Sequence, residues 1–209
     1  MKGPLPILAA AAALLSPLRA PAGEPRDLGL GLAYYRVHEL PADLPAASDL
    51  RTGPKVLDLR FARADGASAA LLTAWVRAHA SAHGPVFVLE NADTSPALRA
   101  ALPGGAGPAV VVLAPAASRV HADIAVVVPP GADRKAYEAL DAGTPLEKLL
   151  SDNPEKVRYD EAYLEKEHLS DSGGIASEPE RPSPPGPLVD LVLQRAVQID
   201  RGLVALKRL

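Results

Sequence analysis

Cysteine is absent from the 209 residues. That excludes disulfide scaffolds, thiolate catalysis, iron–sulfur clusters and cysteine-ligated zinc together. Aromatic residues are scarce at 4 %, with Trp75 the single tryptophan, so stacking platforms for single-stranded nucleic acid have little to draw on. Basic excess is missing too. A formal charge of −3 argues against nucleic acid as the partner. No apolar run approaches the roughly twenty residues of a membrane-spanning helix. What is plentiful is proline, at 22, and glycine, at 16, in a chain that is 48 % hydrophobic and 22 % charged. That balance belongs to a globular chain with one real core.

The longest apolar run, Leu5 to Leu15, follows Lys2 and precedes Ala20-Pro21-Ala22. A positive start, a short apolar stretch and a small-x-small site predict a cleaved export signal over residues 1–22. The expected mature chain begins near Gly23 and lies in the bacterial periplasm or outside the cell, with no membrane span. Without a cysteine after the run, no lipid anchor is expected. The competing reading is a buried N-terminal helix, which Pro4, Pro6 and Pro17 disfavour.

Beyond the signal, residues 32–40, 55–61, 86–89, 109–113 and 124–128 read as strands. Residues 68–83 read as a helix, with Ala70, Leu71, Ala74, Trp75 and Ala78 at three- and four-residue steps. Thr94-Ser95-Pro96 is a helix start, a hydroxyl cap followed by proline. Shorter helices are expected at 134–140 and 145–150. Alternation of strands with helices predicts an α/β fold with a largely parallel sheet and flanking helices. The α/β core is assigned to 23–168 and a Pro/Ser/Gly-rich flexible linker to 169–187. Residues 188–209 read as an amphipathic helix, either docked on that core or free to bind a partner. Residues 151–181 carry nine acidic and four basic side chains, a local charge of −5. Their stretch Tyr159–His168 reads as a solvated acidic helix.

The order of these segments resembles the catalytic core of the C-terminal processing (tail-specific) serine proteases. Gly31-Leu-Ala-Tyr-Tyr-Arg-Val looks like the strand opening that core, and Val56-Leu-Asp-Leu-Arg60 like its next strand and turn. Pro85 to Ser95 resembles the strand leading to the nucleophile helix. Ala122 to Val126 and Asp190-x-x-Leu193-x-x-Ala196 resemble two later segments. The resemblance implies a ClpP/crotonase-like fold of stacked ββα units, a groove for an extended peptide or envelope protein, and a tendency to form homo-oligomers.

The chemistry departs from that pattern. The family's nucleophile position is occupied by Pro96, which has no nucleophilic atom, and no lysine stands between Lys55 and Lys135 to serve as base. The glycine-rich turn that would supply oxyanion donors is Phe61-Ala-Arg-Ala-Asp-Gly66, with one glycine. The reading is therefore a catalytically degenerate homologue acting as a peptide-binding or assembly module. The alternative is a divergent active serine hydrolase on Ser95, with His121 as base and Asp123 or Asp93 as orienter. His79 and His83 stand at the i, i+4 spacing of a metal pair, but residues 80–82 are Ala-Ser-Ala, without the acid of a zincin site. The glycine-rich stretch 103–108 joins a helix to a strand, the wrong order for a phosphate loop. No cofactor and no metal are expected.

Overall fold

The computed structural model describes residues 25–45, 53–80, 84–151 and 187–206. Six strands form one sheet in sequence order: β1 (Arg26–Asp27), β2 (Ala33–Arg36), β3 (Lys55–Asp58), β4 (Val86–Leu89), β5 (Val110–Pro115) and β6 (Ile124–Val126). β1 pairs antiparallel with β2, and every later pairing is parallel. The register sets Tyr35 beside Leu57, Leu57 beside Val88, and Val88 beside Val112. Such strands must be apolar on both faces, because side chains alternate and helices cover each side.

The alternation sorts the core. Tyr35, Leu57, Val86, Val88 and Val112 face one side, and Tyr34, Val56, Phe87, Leu89 and Leu113 face the other. The first side is covered by α1 (Gly66–Ala80) and α2 (Pro96–Ala101), which bring Leu72, Trp75, Val76 and Leu98. The second is covered by α3 (Ala132–Asp141) and α4 (Leu191–Ala205), with Leu140, Val192, Leu193, Ala196 and Val197. The chain is thus a mostly parallel six-stranded sheet flanked by helices. Among the described residues two strands in succession lead to a helix at β2–β3–α1 and at β5–β6–α3, whereas β4 stands alone between α1 and α2.

Several boundaries differ from the sequence reading. α1 starts at Gly66 rather than Ser68, because Asp65 ends the preceding loop and its carboxylate accepts the Ser68 amide at 2.7 Å. That bond, from the Ser68 backbone and then its side chain, holds the Asp65 carboxyl below its ordinary value. Asp65→Ala is expected to lower the melting temperature by about 2–4 °C while Asp65→Asn retains most of it, as read by circular dichroism. The helix read at 188–209 is the docked α4. Its cap is Asp190, whose side chain accepts from the Leu193 amide. Gly104 sits where the backbone of 121–122 crosses. A Cβ there would lie 2.9 Å from the His121 carbonyl oxygen, which leaves no room for a side chain. The segments read as an export signal (1–22), an acidic helix (159–168) and a linker (its residues 169–186) lie outside the described residues.

Candidate functional site

The carboxyl ends of parallel strands are where an open α/β sheet places its ligands. Here that edge is built on charge. The alternation that sends Tyr34 to the α3/α4 side sends Arg36, Asp58 and Arg60 there as well. Arg60 is fully buried, and its five guanidinium N–H donors make five bonds. Nε and Nη2 donate to Asp58 at 2.9 and 2.7 Å. Nη1 and Nη2 donate to Asp190 at 2.9 and 2.7 Å, and Nη1 also to Asp133 at 2.8 Å. Tyr34 donates its hydroxyl to Asp58 at 2.8 Å. One guanidinium therefore joins β3, α3 and the cap of α4. Burial pushes the Asp58 carboxyl up, but Arg60, then Arg36 and the Tyr34 hydroxyl, outweigh it and hold the group below its ordinary value. Burial likewise acts to lower Arg60, and Asp190 and Asp58 overcome it, so the guanidinium stays charged.

Next to this hub opens a cleft of about 230 Å³, lined among others by Phe61, Asn91, Asp93, Ser118, Pro129 and Arg134. Phe61 takes a left-handed conformation at φ 62°, which turns the chain out of β3 and lays its ring 4.6 Å from that of Tyr137. A non-glycine residue in that region carries strain, and such residues concentrate at functional sites. Asn91 braces the opposite wall. Its Oδ1 accepts from the Asp93 and Thr94 amides at 3.0 Å each, and its Nδ2 donates to Asp133 at 2.9 Å. Thr94 donates its hydroxyl to the Leu59 carbonyl at 3.0 Å. Arg134 closes one rim, paired with Asp93 at 2.9 Å and lying over the Phe61 ring.

The residues singled out in the sequence are dispersed. Ser95 precedes α2, but its hydroxyl makes no capping bond, and its Oγ is buried without a partner. The Ser95 amide instead donates to the Ala62 carbonyl at 3.0 Å. Pro96 occupies the first helical position and is exposed. His121 is exposed on the loop before β6, where its carbonyl accepts from Gly104 beyond the far end of α2. A six-residue helix is about 9 Å long, so His121 and Ser95 belong to opposite ends of it. Asp123 is committed to backbone, accepting from the Gly105 and Val112 amides at 2.7 and 2.8 Å. Asp93 is held by Arg134. No hydrogen bond among the described residues joins any two of Ser95, His121 and Asp123. His79 stacks on Trp75 with ring centroids 4.1 Å apart, its Nδ1 on the Trp75 carbonyl. His83 lies outside the described residues, and among those described no group of three or more His, Cys, Asp or Glu could hold a metal ion.

Two groups escape sequence reasoning. The Arg60 hub draws Asp190 from 130 positions away, and only the polar pair Asp58 and Arg60 at a strand end hints at it. Glu90 follows an apolar strand and is fully buried, with both carboxylate oxygens unpartnered. Burial raises it to about 7 against the pull of Arg99. Comparison with protein-family models, curated proteins and solved structures finds no match to this chain.

Proposed function

We propose that this chain is an exported, catalytically degenerate homologue of the tail-specific serine proteases, of ClpP/crotonase-like descent, that holds an extended peptide or envelope protein without cutting it. The observation carrying this reading is a cleft at the carboxyl edge of the sheet with no nucleophile–base pair on its walls. Proline stands at the nucleophile position, and the neighbouring Ser95 hydroxyl is buried. Beside the cleft, β6 is the last strand of the sheet, and the chain leaving it exposes Val127 to 84 % before Val128 and Pro129 line the cleft. An edge strand offers unpaired backbone groups to a peptide, and the pockets next to it select side chains.

The test is fluorescence polarisation with a library of labelled extended peptides, on wild type and on Val127→Lys. Val127 directly follows β6, and a charge at the end of an edge strand opposes strand addition, so binding is expected to weaken at least about tenfold with circular dichroism unchanged. Equal binding by both proteins would remove β6 from the reading. Labelling of Ser95 by a fluorophosphonate, lost in Ser95→Ala, would overturn it in favour of a serine hydrolase.

Restoring one residue is not expected to restore peptidase activity. Pro96→Ser supplies a hydroxyl but neither a base within about 2.6–3.2 Å nor an oxyanion hole. It should fold, less stable by about 0.4–1 kcal/mol, and leave casein uncut. Cleavage above background would show that a base and an oxyanion hole are already present. For export, intact-mass measurement on the native envelope fraction is expected to find a chain beginning near Gly23. Full-length chain recovered from cytosol would refute it. No described helix is long and apolar enough to cross a membrane.

A further inference from the structure

The cleft beside Phe61 measures about 230 Å³. That is below the roughly 300–1,000 Å³ of sites that enclose a whole small molecule. An apolar cavity of about 150 Å³ already holds benzene, so this one has room for a single side chain bearing a ring. Phe61, Pro115, Val128, Pro129 and Pro130 supply its apolar wall.

The polar side chains on that wall are engaged with one another or with the backbone. Asn91 holds the amides of Asp93 and Thr94 and donates to Asp133. Asp133 accepts from Arg60 as well, at 2.8 Å. Ser118 donates to the Pro115 carbonyl at 2.6 Å. At the mouth Asp93 and Arg134 pair at 2.9 Å, so neither charge stands alone. A charged ligand group meets a carboxylate and a guanidinium together, and a polar one must compete for partners already taken. An apolar group gives up no hydrogen bond by entering. Flat surfaces also set its shape. The Arg134 guanidinium lies 4.7 Å from the centre of the Phe61 ring, and rings and guanidinium planes favour a further ring beside them.

We propose that the cleft takes an aromatic side chain of the bound peptide, with Phe61 and Arg134 as the residues that select it. The inference rests on the peptide reading given above. Ile124, Val126 and Val128 pack against the core on the α3/α4 side of the sheet. Alternate residues of a strand share a face. A peptide laid beside β6 and the chain leaving it sends the residue level with Val128 to that side, where Val128 lines the cleft. The residues before and after it point away.

The experiment is fluorescence polarisation on the full chain with one extended peptide carrying Phe, Leu, Ala, Glu or Lys at its central position. The Phe peptide is expected to bind at least about tenfold tighter than Ala and about two- to tenfold tighter than Leu. Glu and Lys should do no better than Ala. Arg134→Gln, on the exposed rim, should reduce the advantage of Phe over Leu by about two- to fivefold. Asp93→Asn leaves Arg134 without its counter-charge and should strengthen the Glu peptide by about two- to fivefold. Equal affinity for Phe, Leu and Ala, or a Phe preference untouched in Arg134→Gln, would overturn the proposal and leave the peptide reading standing. A second arm needs no peptide. N-acetylphenylalanine amide at millimolar concentration should shift the backbone NMR signals of 91–93 and 131–134 more than N-acetylleucine amide does. A ring that shifts those signals where no peptide binds would sink the peptide reading alone. Silence from both the ring and every peptide would sink the two together.

Discussion

Replacing Arg60 with methionine is expected to cost about 3–5 kcal/mol, read as a lowered urea midpoint. Methionine keeps an unbranched stem but not the guanidinium, so the variant loses the charge and its five donors together. What remains is Asp58, Asp190 and Asp133 around a site that no longer holds a cation, with Asp58 and Asp190 buried. Unpaired buried charge, not the missing attraction, dominates such costs. A companion variant separates the two. Arg60→Met combined with Asp58→Asn and Asp190→Asn should recover part of the stability at pH 7, because it removes carboxylates that have lost their partner. If the triple variant is no more stable than Arg60→Met alone, unpaired charge is not the source of the loss.

The opposite sign is expected at Glu90. Its proton affinity is raised in the folded chain, from 4.5 to about 7. The stability it contributes is therefore complete below its unfolded value and is lost as pH rises through 7. At about 1.4 kcal/mol per pH unit, that interval makes ionised Glu90 a liability of about 3 kcal/mol at pH 8.5. Glu90→Gln should be the more stable protein there by up to that amount, and the gap should close toward pH 4.5. Urea denaturation at pH 5 and pH 8.5 measures it. A difference between the two proteins that does not change with pH would refute the assignment. Two buried charges just past neighbouring strands thus respond oppositely to removal, because the Arg60 side chain has five bonds and the Glu90 side chain has none.

The elements whose apolar pattern repeats were legible from sequence. Val86 to Leu89 and Val110 to Leu113 announce themselves as strands buried on both faces. The helix α1 was legible but its inner side was not: of Ala70, Leu71, Ala74, Trp75 and Ala78 only Trp75 is buried, and the core takes Leu72 and Val76 beside it. β1, with two residues, is too short to carry a pattern, and its pairing with β2 is fixed by the turn at 29–31. The site was less legible because its partners are remote in sequence. Asp190 reads locally as a helix cap, and it is one; nothing local shows that the same carboxylate also meets Arg60. Asp123 suggests a catalytic orienter until its two backbone bonds are seen. Glu90 reads as the first polar residue past a strand. Its burial comes with its place on the sheet face that α1 and α2 cover, a tertiary fact that no window of sequence contains.

The Arg60 hub also sets an order of events. Asp190 enters the chain 130 residues after Arg60, and it supplies two of the five bonds around that guanidinium. During synthesis the interior cation has to wait for almost the whole chain to emerge. Contacts of such long sequence separation close slowly, and until this one closes the second core lacks α4 as a lid. A protein whose keystone arrives last stays pliable while it is being made.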